Sequence, residues 1–236
     1  MNTHDLERLD ALLLAPARAV VSMRQVHDGA TDDDIVGMRH DVDDNPGSLA
    51  TAVRMAIWEA ERGYRSTFYL LHSASYWQDE VTLRRSLEQI AGHGHEVAIH
   101  ANAIAEALRY GGDPDDILQC AIDQLRSYGH SVTGVVGHGD PLCRQAGFVN
   151  DEMFTECARP AMGAPDRFVT YGGRRIRIAP RPLADFGLAY NAIWLPRGRT
   201  LSDSGGVWNV LPGTLAGGPG QLHILQHPDH YVGCFD

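Results

Sequence analysis

Residues 35–44 read IVGMRHDVDD, an apolar run followed by Arg-His and then by three acidic residues around a valine. A short apolar run with β-branched residues is typical of a buried strand. Asn45-Pro46 follows it, a residue of the N-cap type before a proline that suits the first helical turn. The apolar positions after Pro46 recur every three or four residues, as on one face of a helix. The stretch therefore predicts a strand, a polar turn and a crossover helix in succession.

The same alternation of short β-rich runs and longer helical segments continues along the chain. Further helices are expected after Asp79 and Asp113, each ending at a glycine that suits a helix C-cap. The other candidate strands are residues 66–71, 96–99, 132–137, 175–179, 188–195, 207–211 and 222–226. Alternating strands and helices predict the α/β class with a parallel sheet.

Composition limits the domain organisation. The 236 residues are 44% hydrophobic and 21% charged, an ordinary globular composition with enough apolar material for a core. The sequence contains no repeat and no obvious linker, so we expect a single domain over residues 1–236. The apolar stretch at residues 12–21, interrupted by Pro16, is interpreted as a docking helix, and residues 1–30 as an N-terminal docking helix and extension of the domain.

Charge and cysteine content exclude several classes of protein. Thirty acidic residues against twenty basic ones give a net charge of −10 without a dense Lys/Arg cluster, so we expect no nucleic-acid partner. The four cysteines lack CxxC spacing and are too sparse for a disulfide framework. No apolar run approaches the roughly 20 residues of a membrane helix, and the N-terminal residues are acidic where a signal peptide is basic. We therefore expect a cytoplasmic protein with no membrane partner.

Side chains that bind metals or move protons follow several of the candidate strands. These residues are Asp41, Asp43, His72, His100, His138 and His227. In parallel α/β folds the carboxyl ends of the strands meet on one face, where the active sites of such folds lie. We therefore expect these side chains to belong to one site.

Most of these residues also have a structural interpretation. Asp41 and Asp43 are either capping and loop acids before the helix or, at positions i and i+2, a metal ligand and a general base, which we favour. His100 follows four strand residues and needs a polar partner, and a metal ion would be one. The glycines around His138 let the backbone approach a ligand closely. His227 is either a strand-terminal residue restrained by the following proline or a functional residue, which we favour.

Three segments resemble motifs of the polysaccharide deacetylase, or NodB homology, superfamily of carbohydrate esterase family four, in its divergent branch with an RHDVD sequence. Residues 39–43 resemble the aspartate pair of the first motif, although here a valine separates the two acids. Residues 94–100 match the first part of the second motif, and residues 225–229, LQHPD, resemble the motif that carries the general acid. The resemblance covers most of the chain and implies a distorted (β/α) barrel, often seven-stranded.

The resemblance implies roles for individual residues. Asp41 would be the general base and Asp43 a metal ligand, with the reverse assignment left open. His100 would be a second ligand, and His227 the general acid. Ile104 stands where the family has its second metal-binding histidine. A third ligand must therefore come from elsewhere in the chain.

His138 is the first choice for that third ligand, with His72, Asn102 and Asp140 as weaker ones. The cofactor implied is one divalent metal ion, commonly zinc in this family, with cobalt, nickel and manganese as alternatives. The family's Arg-x-Pro-Tyr segment is absent, and residues 203–208 loosely resemble the motif that lines its acetyl pocket. The substrate-binding residues that we expect are His72, Asp140, Arg144, Asp203 and Trp208.

Together these residues predict a metal-dependent hydrolase of carbon–nitrogen bonds, in the first place an N-deacetylase of an acetamido sugar, glycan precursor or related small molecule. An activated water, a base and an acid are the parts that amide hydrolysis requires. Two alternatives stay open. The isoleucine at position 104 favours a non-catalytic carbohydrate-binding or scaffold protein, and the same site could instead hydrolyse an ester or a formamide. Neither the substrate nor the oligomeric state follows from the sequence.

Overall fold

A computed structural model describes residues 5–29, 34–157, 167–195, 199–216 and 220–235. The strands in these ranges are β1 (Ala19–Ser22), β2 (Ile35–Val42), β3 (Thr67–Leu71), β4 (Glu96–Ala101), β5 (Gly134–Gly137), β6 (Arg167–Tyr171), β7 (Arg174–Ile178), β8 (Tyr190–Asn191), β9 (Arg199–Ser202) and β10 (Leu222–Gln226). The α-helices are α1 (Leu6–Leu9), α2 (Met23–His27), α3 (Ser48–Glu61), α4 (Glu80–Gly92), α5 (Ala103–Tyr110), α6 (Pro114–Ser127) and α7 (Pro141–Ala146). A π-helical turn covers Asp10–Leu14, and 3₁₀ turns cover Ser75–Gln78, Asn150–Met153, Leu183–Phe186, Pro212–Thr214 and Pro228–Phe235.

The chain divides into two compact units. The first comprises Met1–Leu70, Ala74–Ala98 and Trp194–Asp236, and the second comprises Leu71–Ser73 and Ile99–Ile193. The first unit is therefore assembled from three separate stretches of chain, whereas nearly all of the second is one continuous stretch.

Strand β2 is the centre of the parallel sheet in the first unit. It pairs with β10 through residues 36–40, with β1 through residues 35–38 and with β3 through residues 39–42. Strand β9 pairs in turn with β10. Seven of the eight residues of β2 are buried, as expected for a strand covered on both faces.

An apolar cluster packs the N-terminal segment onto this sheet. Leu9, Leu13 and Leu14 are buried in it together with residues of β1, β2, β9 and β10. The sheet residues in the cluster are Val20, Val36, Met38, Leu201, Leu222 and Ile224. Full burial of a leucine side chain contributes roughly 1.5–3 kcal/mol, so the N-terminal segment is part of the core of the first unit.

The helices follow the signals that predicted them, with one shift. Asp113 caps α6 by accepting from the backbone of Asp115, and Asp79 caps α4 in the same way. Helix α3 begins at Ser48, later than the predicted start at Asn45, because Gly47 takes a left-handed conformation with φ of 80° and ends the preceding turn. None of the helices in the described ranges is long and apolar enough to cross a membrane.

The second unit contains its own parallel strands and a hairpin. Residues 99–101 of β4 pair with residues 135–137 of β5, and β5 pairs with β8, both in parallel. Strands β6 and β7 pair with each other in antiparallel register. Val169 and Ile176 are the buried pair of this hairpin, while Phe168 is exposed.

Strands β3 and β4 run from the first unit into the second. The order of strands in the main sheet is β8-β5-β4-β3-β2-β10-β9, with β1 beside β2. Every register described in this sheet is parallel. The predicted α/β class with a parallel sheet, as in a distorted (β/α) barrel, is confirmed; seven strands lie in one path and β1 adds an eighth beside β2.

Three strand predictions are wrong in extent or pairing. Residues 188–195 contribute only Tyr190–Asn191, because the Asn191 side chain accepts from the backbone of Ile193 and turns the chain. The predicted strand at residues 175–179 is β7, which pairs with β6 and not with the main sheet. Residues 207–211 form no strand, since the preceding glycines have positive φ.

The helix expected over residues 12–21 ends at Leu14. Pro16 lacks a backbone N–H and restricts the residue before it, which prevents the helix from continuing. The sequence after it, Ala-Val-Val-Ser, forms β1, a strand that the sequence analysis missed. Two β-branched valines favour this extended conformation.

Candidate active site

Two carboxylates lie at the carboxyl end of β2. Asp41 belongs to the strand and is 4% exposed, whereas Asp43 is the first residue after it. The Arg39 guanidinium lies 3.4 Å from Asp41 Oδ2 and 5.9 Å from the centroid of the Tyr69 ring. Arg39 is therefore the cation that orients Asp41.

His40 lies on the opposite face of β2, because neighbouring strand residues alternate between faces. Its side chain is fully buried, and Nε2 lies 2.6 Å from Glu59 Oε1 on α3. The His40 ring also stacks on Phe68, with 4.5 Å between the ring centroids. His40 therefore packs between the sheet and α3 and does not face the carboxylates of Asp41 and Asp43.

The second oxygen of Glu59 is bound as well. Ser66 Oγ donates to Glu59 Oε2 at 2.6 Å, and the Ser66 backbone N–H donates to His95 Nδ1 at 3.1 Å. Burial raises the pKa of Glu59, but the charge and hydrogen bond of His40, with contributions from His95 and Ser66, outweigh burial and lower it. Glu59 is therefore held as a carboxylate in the core of the first unit.

Asp203, His227 and His230 form a hydrogen-bonded group at the ends of β9 and β10. His227 Nδ1 lies 2.6 Å from Asp203 Oδ1, and His230 Nδ1 lies 3.1 Å from Asp203 Oδ2. The backbone N–H of His227 also donates to Asp203 Oδ2, at 3.1 Å. Because a carboxylate only accepts, both rings carry a hydrogen on Nδ1. Asp203 is thus the partner of His227.

The surroundings of His227 make it a proton donor at neutral pH. Burial lowers its pKa, but the hydrogen bond to Asp203 and the charges of Asp41, Asp203 and Asp43 raise it, to about 9. The pKa of His230 is raised mainly by its hydrogen bond to Asp203. Asp203 itself has a lowered pKa, because its bonds to the two histidines outweigh the effect of burial.

In the second unit, His100 and His138 lie next to each other. His100 is on β4, and its Nδ1 lies 3.1 Å from the carbonyl oxygen of Val136 on β5. A carbonyl only accepts, so Nδ1 donates, and in the neutral ring Nε2 carries the lone pair. The rings of His100 and His138 meet edge to face, with 5.0 Å between their centroids.

His72 lies beside these two histidines and is held neutral. Burial lowers its pKa, the charges of His100 and His138 lower it further, and the pKa is about 4. His72 Nε2 accepts the backbone N–H of Asn102 at 2.8 Å. The ring nitrogen that could otherwise bind a ligand is therefore used to fix the start of α5.

Asp140, one of the predicted substrate-binding residues, is held by hydrogen bonds from three other residues. Arg109 of α5 donates to both of its carboxylate oxygens at 2.6 Å, and the backbone of Leu142 donates to Oδ1 as the cap of α7. Asn102 Nδ2 donates to the same carboxylate at 3.0 Å, while Asn102 Oδ1 accepts from Asn150. Asp140 and Asn102 therefore join helices to the ends of β4 and β5.

The two other predicted substrate-binding residues are Arg144 and Trp208. Arg144 is exposed on α7. Trp208 is partly buried and packs against the apolar cluster around Leu13 and Leu14. Ile104 is fully buried in α5. An apolar side chain in that environment offers no metal ligand.

The structure brings the predicted residues together in two sets. Asp41, Asp43, Asp203 and His227 interact in the first unit, and His72, His100 and His138 interact in the second. The sequence analysis missed His230 and Glu59. The spacing of three residues between His227 and His230, which suits one helical turn, is the signal that could have identified His230.

The fold and these side chains define an α/β protein with a carboxylate and imidazole site. Among solved structures, the chain is similar to one described as "Structure of a Streptococcus mutans CE4 esterase", with 14% identity and a TM-score of 0.47. The similarity covers 89% of this chain and 81% of that chain. No model of a protein family matches the chain, and no curated protein matches it. A likeness of this degree assigns no role to any residue, so the roles proposed below rest on the contacts described above.

Proposed function

We propose that the protein is a hydrolase of the deacetylase and esterase class that its motifs resemble, and in particular an N-deacetylase of an acetamido sugar or related small molecule. The observation that carries the proposal is the Asp203–His227 pair, in which His227 has a pKa of about 9 under the influence of Asp41 and Asp43. A protonated imidazole beside carboxylates supplies an acid and a base for the same reaction.

We assign one divalent metal ion, zinc, to Asp43, His100 and His138. A carboxylate with two imidazoles is a common ligand set of catalytic zinc. The bond from His100 Nδ1 to Val136 directs the ring's lone pair to Nε2, and zinc-binding histidines are usually held by such a bond. The donor chemistry and this bond fit the ion.

His138 is preferred over the other candidates for the third ligand because those candidates are engaged elsewhere. Arg109 takes both oxygens of Asp140. The side chain of Asn102 bridges Asp140 and Asn150, and His72 Nε2 accepts from the backbone. A divalent ion held by the assigned ligands would polarise the acyl carbonyl and lower the pKa of a water molecule to about 7.

Asp41 and His227 divide the proton transfers of the hydrolysis. Asp41, oriented by Arg39, accepts the proton of the attacking water. His227 binds Asp203 through Nδ1, so its Nε2–H is the acidic hydrogen, and this proton passes to the leaving nitrogen as the carbon–nitrogen bond breaks. Asp203 keeps the ring oriented throughout. The roles of Asp41 and Asp43 could also be exchanged, since both act on His227.

The test combines metal content with a substrate panel. Elemental analysis of the dialysed wild type should give about one zinc per chain, lost in Asp43→Ala, His100→Ala and His138→Ala and retained in His93→Ala, which removes an exposed histidine. The panel offers N-acetyl, O-acetyl and N-formyl forms of one amino sugar, and we expect turnover of the N-acetyl form.

Each of the other possible results would change the metal ligands, the proposed function or the substrate class. Zinc retained in His138→Ala alone would move the third ligand to another residue. No metal after incubation with zinc, cobalt, nickel or manganese would overturn the hydrolase proposal and leave a carbohydrate-binding or scaffold protein. Turnover restricted to the O-acetyl or N-formyl form would replace the deacetylase by an esterase or a deformylase.

A further inference from the structure

The group of Asp203, His227 and His230 also has the composition of a metal-binding site. One potential ligand atom from each residue lies within 4.8 Å of the others. Asp203 is fully buried, whereas the side chains of His227 and His230 are 13% and 19% exposed. An ion from solvent can therefore reach the two rings and meet the buried carboxylate behind them.

The fold holds these three residues close together. Strands β9 and β10 are parallel, with Ser202 opposite Leu225, so the residues that follow them leave the sheet at the same edge. His230 lies one turn after His227 and donates its backbone N–H to the carbonyl of His227 at 3.0 Å. The cluster is thus built by two neighbouring strands and one short turn.

We propose that Asp203, His227 and His230 form a second divalent-ion site, suited to zinc, and that an ion bound there inhibits the hydrolase. The binding step follows from the geometry of the cluster, whereas the inhibition rests on the proposed function of His227. On binding, the ion replaces the Nδ1 hydrogen of each ring, which leaves as a proton from a protonated ring and moves to Nε2 in a neutral one. The two Nδ1 lone pairs and a carboxylate oxygen of Asp203 then bind the ion.

The distances between the potential ligand atoms are compatible with replacing the two hydrogens by an ion. Zinc bonds of about 2.0–2.1 Å in a tetrahedral site place neighbouring donors roughly 3.4 Å apart. The bonded contacts in the cluster are 2.6 Å from His227 Nδ1 to Asp203 Oδ1 and 3.1 Å from His230 Nδ1 to Asp203 Oδ2. Each Nδ1 therefore has to move away from its Asp203 oxygen by less than about 1 Å, and all three potential ligand atoms already lie within 4.8 Å of one another.

A second carboxylate, that of Asp229, lies beside the His230 ring. Asp229 Oδ2 lies 3.7 Å from His230 Nε2, and Asn45 Nδ2 donates to the same oxygen at 2.9 Å. A carboxylate at the second nitrogen of a ligating histidine is typical of zinc sites, where it orients the ring and increases its basicity. Asp229 would have this role for His230.

An ion at this site would weaken the proton donor. His227 bound through Nδ1 keeps its Nε2–H, but releasing that hydrogen would leave an imidazolate, so the bound neutral ring is a much weaker acid than the imidazolium. Activity should therefore rise as the first ion binds and fall as the second binds. The second ion should be the weaker one and be removed by dialysis, because it must displace two hydrogen bonds.

Binding is tested without reference to activity. In the double variant His100→Ala/His138→Ala, titration with cobalt(II) should give one equivalent with the absorption bands of a four-coordinate ion. Adding His230→Ala should weaken cobalt binding by at least about tenfold, and adding Asp229→Ala should weaken it by a smaller factor. Adding His93→Ala is the matched control and should leave the titration unchanged. Circular dichroism shows whether each variant is folded.

If the double variant proves unfolded, titration of the wild type replaces it, with two equivalents expected, and one in His230→Ala. No cobalt binding by the folded double variant, or binding unaffected by His230→Ala, would overturn the second site. Cobalt binding that requires His230, in a protein that hydrolyses none of the substrates, would instead overturn the proposed function and leave the site standing.

Discussion

At the scale of single residues, one buried carboxylate controls the acidity of His227. Asp203 accepts the Nδ1–H of both His227 and His230 and the backbone N–H of His227. A charge in a buried position acts more strongly on a neighbouring ring than the same charge in water. Asp203 is thus a main reason why the pKa of His227 lies near 9.

Replacing Asp203 by asparagine should move the alkaline limit of activity to lower pH. The amide keeps the shape but not the charge, so the pKa of His227 falls from about 9, and the protonated ring is lost earlier as the pH rises. We expect the alkaline limb of the pH–rate profile to shift by about one unit or more. NMR titration of His227 measures the pKa directly. Asp229→Asn is the control, and an unchanged limb in Asp203→Asn would contradict the assignment.

The buried contact between His40 and Glu59 leads to a prediction about the stability of the fold. Glu59→Ala leaves the His40 ring and the Ser66 hydroxyl in the core without their acceptor, and loss of a buried hydrogen-bond partner costs about 1–3 kcal/mol, or more for a charged partner. Urea denaturation measures the change, with the exposed Glu61→Ala as control, expected within about 0.5 kcal/mol of wild type.

The pH dependence of this contribution has a definite sign. The folded pKa of Glu59 is below the usual 4.5, so the stabilisation is present above pH 4.5 and is lost as the pH falls through the folded pKa. The stability difference between wild type and Glu59→Ala should therefore shrink on acidification. A difference that is independent of pH would show that Glu59 acts through packing alone.

The sequence singles out candidate residues by a local pattern but does not identify their partners. Asp41, Asp43, His100, His138 and His227 are candidates because they follow apolar runs. Their partners come from elsewhere in the chain, since the interaction depends on how strands and helices pack. The bond between Asp203 and His227 joins residues 24 positions apart, and no local pattern encodes it.

At the scale of elements, Asp140 joins α5 to α7. Asp140→Ala removes the N-cap of α7 and the two bonds from Arg109, so we expect a loss of about 2–4 kcal/mol of unfolding free energy. Asp113→Ala removes only the exposed cap of α6 and should cost about 1 kcal/mol. Thermal or urea unfolding compares the two variants, and equal losses would argue against the bridging role of Asp140.

The helical turns before β1 pack into the apolar cluster, which leads to a prediction about stability. Leu14 is 1% exposed within the apolar cluster, so Leu14→Ala should cost about 2–5 kcal/mol. Leu12, two residues earlier, is only partly buried against the same cluster, and Leu12→Ala should cost less than half as much. Similar losses at both positions in urea denaturation would show that the segment is not packed as described.

Helices and strands could be predicted where the residues that begin or end them are encoded locally in the sequence. The caps of α4 and α6 are encoded by Asp79 and Asp113 and lie where they were predicted. Strands β1 and β8 are short, at four and two residues, and take their conformation from the strands beside them. Such tertiary pairing leaves little periodic pattern in the sequence, so β1 was missed and β8 was predicted too long.

At the scale of the whole molecule, the proposed zinc ligands come from well-separated positions in the chain, and zinc should therefore stabilise the fold. A ligand that binds only the folded state adds about 2.7 kcal/mol at 100 times its dissociation constant. Thermal unfolding with and without zinc measures this gain, and chelation should reverse it. His100→Ala should lose most of the gain, and an equal gain in that variant would place the stabilising ion elsewhere.

The sequence marks no linker where the chain passes between the two units. Two of the four passages, at residues 70–71 and 98–99, lie inside β3 and β4. A strand has to remain regular and apolar through such a point, so composition does not change there. The α/β class could be derived from the alternation of elements, whereas the division into units could not.

The three-part construction of the first unit also determines the order in which the protein can fold during synthesis. Strand β2 pairs through residues 36–40 with residues 222–226 of β10, so this contact closes a very long loop. A ribosome adds roughly 5–20 residues per second, which makes the strands of the second unit available seconds before β10 exists. For that time β2 has no β10 beside it, and the nascent chain presents an unpaired strand edge to chaperones or to other chains.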